Sequence, residues 1–472
     1  MKNTIKITIF LFIAGLLISG TYKILSWKDT TGGYLSSTQQ LYATGDNLID
    51  VVFMGSSHCY CSINPSILWD TYGISAFDMA VSGQDKDSTY YSLKEVLKTQ
   101  SPQVVCIDAY GLLFDQHTIT GNIYRNMLSM KFSANSNDLI RAYIEETEQP
   151  DFLLRWPIIH TRYKELTKYD FIQYEPSIYG RGFFPTYHDG GDYHPSDEAL
   201  NCKESVPLSE SNKQWIDNLI SLSEKENFSL VFFLAPMTLS VDEQKVLNGA
   251  KAYLQDCNID FIDYNWLAPE LGLNYATDFA DTFHTNAYGA QKVTSHMGTY
   301  LMQNFLFIDH RSDPAYYLWD ECSQYMQQLE NAQTIARTND LGALLTLLSS
   351  SPNLTVVLSL DGAYMDSTLD LLGALNVFDI EESEYNMGGK WVFKDNERLF
   401  YMDNFSDTIY TLDLSPTETL RLHNLENSTQ TNTAPYSQIE INGNVYGSCI
   451  NGLSVLVYDN FTDSIILQKG FY

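Results

Sequence analysis

Short, continuous apolar segments alternate with segments of helical periodicity between residues 50 and 306, and this alternation most constrains the fold. An apolar run of four to six residues, uninterrupted by polar ones, is typical of a strand buried on both faces. Strands that alternate with helices predict an α/β domain built on a doubly wound parallel sheet. The predicted strands span 51–54, 76–80, 104–108, 230–236 and 261–264, and the predicted helices begin at Asn64-Pro65 or span 88–98, 213–226, 241–255 and 289–306.

The first strand runs into Gly55-Ser56-Ser57-His58, which leaves a serine hydroxyl at the carboxyl end of a sheet strand. Ligands of open α/β sheets bind at that end. A serine is a nucleophile only with a base and an orienting acid. Asp281 and His284, three residues apart at a loop-to-helix junction, have a spacing that lets the carboxylate reach one ring nitrogen while the other is directed toward the serine.

Two neighbouring residues offer alternatives at this turn. Ser56 could carry the reactive hydroxyl in place of Ser57. His58 could be mistaken for the base, but a neighbour on a tight turn normally points elsewhere, so we expect it to pack or to support the site.

The Gly-Ser-Ser turn, the glycine turn at Gly83 and the run Asp281-x-x-His284-x-Asn286-x-x-Gly289-Ala290 together resemble the SGNH/GDSL hydrolase superfamily over about 50–306. The closest likeness is to its membrane-anchored branch, which includes the D-alanyl-lipoteichoic acid transfer protein and alginate acetylation proteins. The resemblance implies a three-layer α/β/α domain with Ser57 as nucleophile, His284 as base and Asp281 as its partner. It also implies an oxyanion hole formed by the backbone N–H groups of Ser57 and Gly83, and chemistry that needs no cofactor.

One part of the pattern is missing. The superfamily's third block supplies Gly-x-Asn, whose amide donates to the oxyanion, whereas strand three here continues as Asp108-Ala109-Tyr110-Gly111. The loss of one such donor typically costs about 10²–10³ in rate. A slow transferase, a weak esterase and an inactive relative therefore all stay open.

The N-terminus carries an uncharged apolar run from Ile7 to Tyr22, with Lys2 and Lys6 before it and Lys23 and Lys28 after it. We predict a single-pass transmembrane anchor over 1–27, with flanking lysines that snorkel to the interface. The alternative is a cleaved signal peptide with Ser19-Gly20-Thr21 as its small-residue site. Either way the rest of the chain lies outside the cytoplasm.

The remaining boundaries follow from changes in composition. We predict a polar linker over 28–49, the hydrolase-like domain over 50–306, a helical connector over 307–339 and an α+β domain over 340–472. Within the first domain, 111–207 is an aromatic-rich insertion without clear periodicity; it either closes over a glycan as a lid or simply packs.

The C-terminal region resembles the interleukin-like EMT-inducer domain. The matching runs are Asn-Leu-Thr-Val-Val-Leu-Ser-Leu-Asp-Gly at 353–362 and the segments 439–443 and 451–459. Relatives of that domain include non-catalytic carbohydrate-binding modules, so the resemblance implies recognition. A structural or partner-docking role is equally open.

The net charge and the cysteine pattern argue against several classes of binding partner and of structural site. With 28 Lys+Arg against 58 Asp+Glu, the net charge of −30 disfavours nucleic acid and broad adsorption to anionic lipid. Seven cysteines without paired CxxC motifs indicate neither a zinc site nor a disulfide framework. We therefore expect no metal and no cofactor.

Two hypotheses follow. The first is an anchored extracytoplasmic serine O-acyltransferase or O-acetylesterase that acts on a cell-surface polysaccharide beside a membrane-bound O-acyltransferase partner. The second is a non-catalytic glycan-binding or assembly protein on the same fold.

Overall fold

The structure is a computed structural model of the 472-residue chain, and it describes residues 2–26, 34–114, 127–167, 170–171, 180–190, 196–361, 370–424, 437–446 and 452–471. The chain divides into two compact units, Met1–Tyr325 and Met326–Tyr472. The helices of the first unit are α1 (Lys2–Leu25), α2 (Tyr34–Ala43), α3 (Ser57–Ser62), α4 (Pro65–Tyr72), α5 (Lys86–Val96), α6 (Ala134–Tyr143), α7 (Gln149–Leu154), α8 (Trp156–Ile159), α9 (Asp197–Leu200), α10 (Glu210–Glu226), α11 (Val241–Asp256), α12 (Tyr264–Leu267) and α13 (Ala287–Asn304), and α14 (Tyr317–Arg337) spans the boundary.

A five-stranded parallel sheet forms the centre of the first unit, which confirms the predicted α/β class. Its strands are β1 (Val51–Met54), β2 (Ala76–Asp78), β3 (Val104–Asp108), β4 (Ser229–Leu234) and β5 (Asp260–Asp263), in the order β2-β1-β3-β4-β5. The strand order reverses beside β1. Sheets of this order bind their ligands in the crevice at that switch point.

Both faces of the sheet are buried, which explains why the strands are apolar without alternation. Val52 and Met54 join one core with residues of α5, α10 and α11. Val51 and Phe53, which point the opposite way, join a second core with residues of α4 and α13. The domain is thus a three-layer α/β/α sandwich in which Ser57 follows three residues after the end of β1.

Helix α1 contains a segment, Thr4–Leu25, that is long and apolar enough to cross a membrane, although a signal sequence would have the same character. Its last carbonyls, those of Leu25 and Ser26, accept hydrogen bonds from Nη1 of Arg162 at 3.0 and 2.5 Å. Arg162 is in turn paired with Asp170 at 2.6 Å. This arginine clamp holds the end of α1 against the insertion.

Part of the segment predicted as a polar linker, 28–49, is helical, and its residues 28–33 lie outside the described residues. Residues 34–43 form α2, and Leu41 and Thr38 on it are buried. Apolar and small residues on one face of α2 pack on the domain, so this part of the segment is folded rather than a tether.

The aromatic-rich insertion is a packed region in its described parts. Met127, Met130 and residues of α6 form a small separate core against Tyr91 of α5 and α7. Further along, the backbone of 180–190 bonds to the sheet region: the N–H of Asp78 donates to the carbonyl of Arg181, and the N–H of Phe184 donates to that of Tyr60. Residues 115–126, 168–169, 172–179 and 191–195 of the insertion lie outside the described residues.

In its described residues the second unit is a mixed domain of two antiparallel sheets with helices α15 (Leu341–Ser350), α16 (Leu371–Leu375) and α17 (Glu382–Met387) after the end of α14. Its strands are β6 (Leu354–Asp361), β7 (Gly389–Lys394), β8 (Glu397–Met402), β9 (Tyr410–Ser415), β10 (Glu418–Asn424), β11 (Ser437–Ile441), β12 (Asn444–Val445), β13 (Gly452–Asp459) and β14 (Ser464–Phe471). They form sheets of order β14-β13-β6-β7-β8 and β12-β11-β10-β9. One face of the five-stranded sheet packs on the helices and the other on the four-stranded sheet, as the predicted α+β class requires.

Candidate active site

Ser57, His284 and Asp281 lie in one hydrogen-bonded chain. His284 Nε2 is 2.8 Å from Ser57 Oγ, and His284 Nδ1 is 2.9 Å from both carboxylate oxygens of Asp281. Because an ionised carboxylate only accepts, Nδ1 carries the proton and Nε2 is left to accept the serine proton. The sequence-predicted residues are therefore brought together in the geometry of a serine nucleophile, its base and an orienting acid.

Ser56 has a different task from Ser57. Its Oγ is the N-cap of α3, where it accepts the N–H of His58 at 3.4 Å, and it lies 2.8 Å from His58 Nδ1. The side chain is buried. Of the two serines, Ser57 is the one in contact with the base.

The loop that carries Asp281 and His284 is tightly turned. Asp281 Oδ1 accepts the N–H groups of Phe283 at 2.7 Å and His284 at 2.9 Å, and the N–H of Ala280 donates to the carbonyl of His284. Burial alone would raise the pKa of Asp281, but the Phe283 N–H and then the His284 ring outweigh it and hold this pKa below its ordinary value. The carboxylate thus stays ionised while it orients the imidazole.

Thr285 joins this loop to the helix that bears the nucleophile. Its hydroxyl donates to the carbonyl of Cys61 at 2.8 Å and lies 2.9 Å from Ser62 Oγ, both on α3. The side chain is fully buried. Serine and histidine are 227 residues apart in sequence, and this short link fixes their separation.

The rest of the Asp-x-x-His-x-Asn-x-x-Gly run builds the start of α13. Asn286 caps that helix by accepting the N–H groups of Tyr288 and Gly289, and its amide donates to the carbonyl of Thr277 at 2.7 Å. A Cβ on Gly289 would stand 2.2 Å from the carbonyl oxygen of Asp278. The motif therefore contains the Asp281–His284 pair together with two features that hold its loop in place. These are the Asn286 cap and the close approach of the backbone at Gly289.

His58 stacks on the candidate base. The two rings are 5.0 Å apart with an interplanar angle of 16°, and Tyr110 covers His58 at 4.1 Å. Only 5% of His58 is exposed, and burial, then repulsion by His284, lowers its pKa to about 3. Because the His58 ring stays neutral at physiological pH, it packs against the His284 ring and does not compete with it for a proton.

The backbone N–H groups of Ser57 and Gly83 are the predicted donors to a developing oxyanion. Within the described residues, the N–H groups of Ser57 and Gly83 have no acceptor, and Gly83 holds the left-handed conformation at φ 65°. The Tyr60 hydroxyl, not singled out from the sequence, interacts with the side chains of Ser82 and Ser57. It lies one helical turn after the nucleophile, a spacing at which side chains on a helix meet.

Two buried acids lie beneath the nucleophile turn, at the ends of β2 and β3. Asp78 accepts the Cys59 thiol at 3.4 Å and the N–H of Ala80 at 3.0 Å, and Asp108 accepts the N–H groups of Ala235 and Tyr110, each at 3.4 Å. One oxygen of each carboxyl has no partner in the described part of the chain. Burial raises the pKa of both, that of Asp108 to about 7.

Asp108 is also packed against the turn itself. A Cβ on Gly55 would stand 2.6 Å from Asp108 Cβ and 3.1 Å from Cys59 Cβ. Asp108 stands close in sequence to the place where an oxyanion asparagine was expected, and here it packs under the turn and supports it.

Among the described residues, no group of three or more His, Cys, Asp and Glu side chains is placed to hold a metal ion.

Comparisons with known proteins do not assign the chain to a family. No family model matches the chain, and no curated protein is significantly similar to it. Among solved structures, a candidate acylhydrolase from Bacteroides fragilis aligns over 59% of this chain and 99% of its own, with 16% identity and a TM-score of 0.27. A similarity this distant does not extend to chemistry, so the function must be argued from the site.

Proposed function

We propose that the chain is a serine acyl-ester enzyme, an O-acetylesterase or O-acyltransferase of the SGNH type that works outside the cytoplasm. The observation that carries the proposal is the hydrogen-bonded chain from Ser57 Oγ through His284 to Asp281, with separations of 2.8 and 2.9 Å. Unrelated folds use the same arrangement for acyl transfer. Its position at the sheet's switch point adds independent support.

The reaction follows from the protonation states. Ser57 Oγ attacks the acyl carbonyl as His284 Nε2 takes the hydroxyl proton, and the oxyanion is held by the N–H groups of Ser57 and Gly83 with the Tyr60 hydroxyl beside them. Collapse breaks the ester bond, and the imidazolium gives its proton to the leaving alkoxide. An acceptor hydroxyl, from water or a sugar, then loses its proton to His284 and attacks the Ser57 acyl group. Collapse breaks the bond between the acyl carbon and Ser57 Oγ, and the imidazolium returns its proton to Oγ, which restores the free serine.

The substrate class is argued from the resemblances. Anchored SGNH relatives handle acyl groups on cell-surface polymers, and the C-terminal resemblance implies carbohydrate recognition by the second unit. We therefore propose a cell-surface polysaccharide as acceptor or substrate, with a membrane-bound O-acyltransferase as the source of acyl groups when the enzyme transfers them.

A fluorophosphonate probe and a p-nitrophenyl acetate assay test the proposal. We expect labelling of wild type on Ser57, and a loss of at least about 10³-fold in kcat/KM for Ser57→Ala and His284→Ala, because the nucleophile and base act as a unit. Ser221→Ala, an exposed helical serine, is the matched control and should keep full activity.

The missing oxyanion asparagine at Asp108-Ala109 favours a second candidate function, non-catalytic glycan binding. Wild type that neither reacts with the probe nor hydrolyses the ester, beside a labelled control hydrolase, would favour this function and overturn the first. Product analysis with a sugar acceptor separates transfer from hydrolysis.

A further inference from the structure

A cavity of about 580 Å³ lies between the end of α1 and the insertion, and it belongs to no part of the site described above. The last turn of α1 contributes Tyr22 and Ser26 to its wall. Most of the remaining wall is apolar, from residues on the insertion: Leu128, Phe132, Leu153, Leu154 and Ile159. The volume is in the range of cavities that bind small ligands.

Arg155 lines this cavity with part of its charge unpaired. Its Nη1 donates to the carbonyls of Met130 at 2.6 Å and Leu128 at 3.3 Å. Nε and Nη2 are buried and have no partner among the described residues, and only 6% of the residue is exposed. A guanidinium taken out of water needs an anion or further acceptors, so the unpaired nitrogens indicate a missing partner.

Lys131 adds a second cation to the same wall. Its Nζ lies 4.2 Å from the centre of the Tyr42 ring, and the residue is otherwise exposed. Two cations in one small cavity stand out in a chain of net charge −30. The acidic surface opposes broad adsorption to anionic membranes, but it does not oppose one phosphate held at this point.

The surroundings of the cavity are suited to lipid. Phe132 and Leu154 are 65% and 70% exposed at its rim. α8 and the adjoining turn at 160–164 contact α1, and they carry the exposed rings of Trp156 and Tyr163. Aromatic residues near the end of a membrane helix are typical of the headgroup level of a bilayer.

We propose that this cavity binds one anionic phospholipid, with its phosphodiester on Arg155 and Lys131 and the start of its acyl chains on the apolar wall. A phosphodiester supplies acceptors for the two cations that line the cavity, Arg155 and Lys131, and the adjacent helix end places the cavity where such headgroups lie. The proposal rests on retention of α1 as an anchor. It is independent of esterase activity.

Native mass spectrometry of the full chain in detergent tests the proposal, with phosphatidylglycerol and phosphatidylcholine added in steps and the intact N-terminus verified. We expect one phosphatidylglycerol per chain, held at least tenfold more tightly than phosphatidylcholine. Arg155→Gln should lower that affinity about tenfold or more, the usual effect of removing a charge-assisted hydrogen bond. Arg141→Gln, an arginine whose side chain is 60% exposed on α6, is the matched control and should bind as wild type.

Lys131→Gln and Leu154→Asp keep the test decisive if Arg155→Gln does not fold, because both side chains are exposed. Each should weaken phosphatidylglycerol binding severalfold. Wild-type affinity in these variants and in any folded Arg155→Gln, or equal binding of the two lipids by wild type, overturns the proposal. Displacement of the lipid by millimolar inorganic phosphate would mean a free-anion site and would overturn the assignment to a lipid.

Discussion

His58 and His284 stand ring to ring beside Ser57, and their surroundings give them opposite tasks. His284 keeps one nitrogen on a carboxylate and the other on the serine hydroxyl. His58 is bonded to Ser56, covered by Tyr110 and held neutral by burial. A flat neutral ring at this distance limits how far the His284 plane can tilt, so His58 is a positioning residue.

We predict that His58→Ala lowers kcat for a small ester by about 10- to 100-fold and changes KM by less than about twofold, because it loosens the base without touching the substrate. His58→Phe keeps the flat ring and should recover most of kcat, which a general loss of folding would not allow. Steady-state kinetics beside the exposed His160→Ala control provide the measurement. Wild-type kcat in His58→Ala would contradict the positioning role.

The candidate triad could be predicted from sequence because its parts are local motifs: a strand that ends in Gly-Ser-Ser and an Asp-x-x-His pair before a helix. Thr285 and Tyr60 could not. The contact of Thr285 with α3 exists only when β1 and the start of α13 are assembled. Tyr60 was two residues beyond the motif, and only its helical spacing from Ser57 could have drawn attention to it.

The ends of β2 and β3 place the carboxyls of Asp78 and Asp108 in the apolar centre of the domain. Burial raises the pKa of Asp108 to about 7, whereas an aspartate in an unfolded chain titrates near pH 3.9. Between these values the folded state binds more protons than the unfolded state. The stabilising contribution is therefore complete below about pH 4 and is lost as the pH rises through about 7.

We predict that Asp108→Asn removes the loss of folding stability that accompanies a rise in pH through about 7, since an amide does not titrate. A shift from about 3.9 to about 7 is about three pKa units, so the variant should gain on the order of 4 kcal/mol over wild type at pH 8 relative to pH 4. Chemical unfolding in detergent at the two pH values measures the difference. Asp138→Asn, at an exposed ion pair, should show no such change; an equal gain at both pH values for Asp108→Asn would contradict the assignment.

The five strands of the parallel sheet were predicted to within about two residues at each end because burial on both faces leaves a plain apolar signal. β2 is shorter than predicted, since the Asp78 carboxylate accepts the N–H of Ala80 and turns the chain there. The insertion had no periodicity to interpret because its helices are short and pack in a separate small core.

Two features of the chain bear on how it would be held at a membrane. The strong negative charge bears on electrostatic attraction, and the apolar N-terminus bears on insertion of a helix. A chain of net charge −30 is not held there by broad electrostatic attraction. Thr4–Leu25, with 22 residues, spans about 33 Å as a helix and matches the hydrocarbon core of a bilayer. Retention would therefore come from the helix.

We predict that the full chain stays in the membrane pellet after both high-salt and alkaline carbonate washes, because neither weakens a hydrophobic span. A variant lacking residues 2–25 should appear in the soluble fraction. N-terminal sequencing of the pelleted protein completes the measurement. A mature N-terminus just after Ser19-Gly20-Thr21 would instead identify a cleaved signal peptide and contradict the anchor.

The arginine clamp of Arg162 on the last carbonyls of α1 has a consequence for what the protein could reach. A domain on a long flexible tether searches a hemisphere, whereas one clamped to the end of its own anchor, as this domain would be if α1 spans the membrane, is confined to a layer of nearly constant height above the bilayer. With Ser57 held in such a layer, a polymer would be modified only along the stretch that passes through it. The distance of a sugar from the membrane would then select the substrate as strictly as its chemistry does.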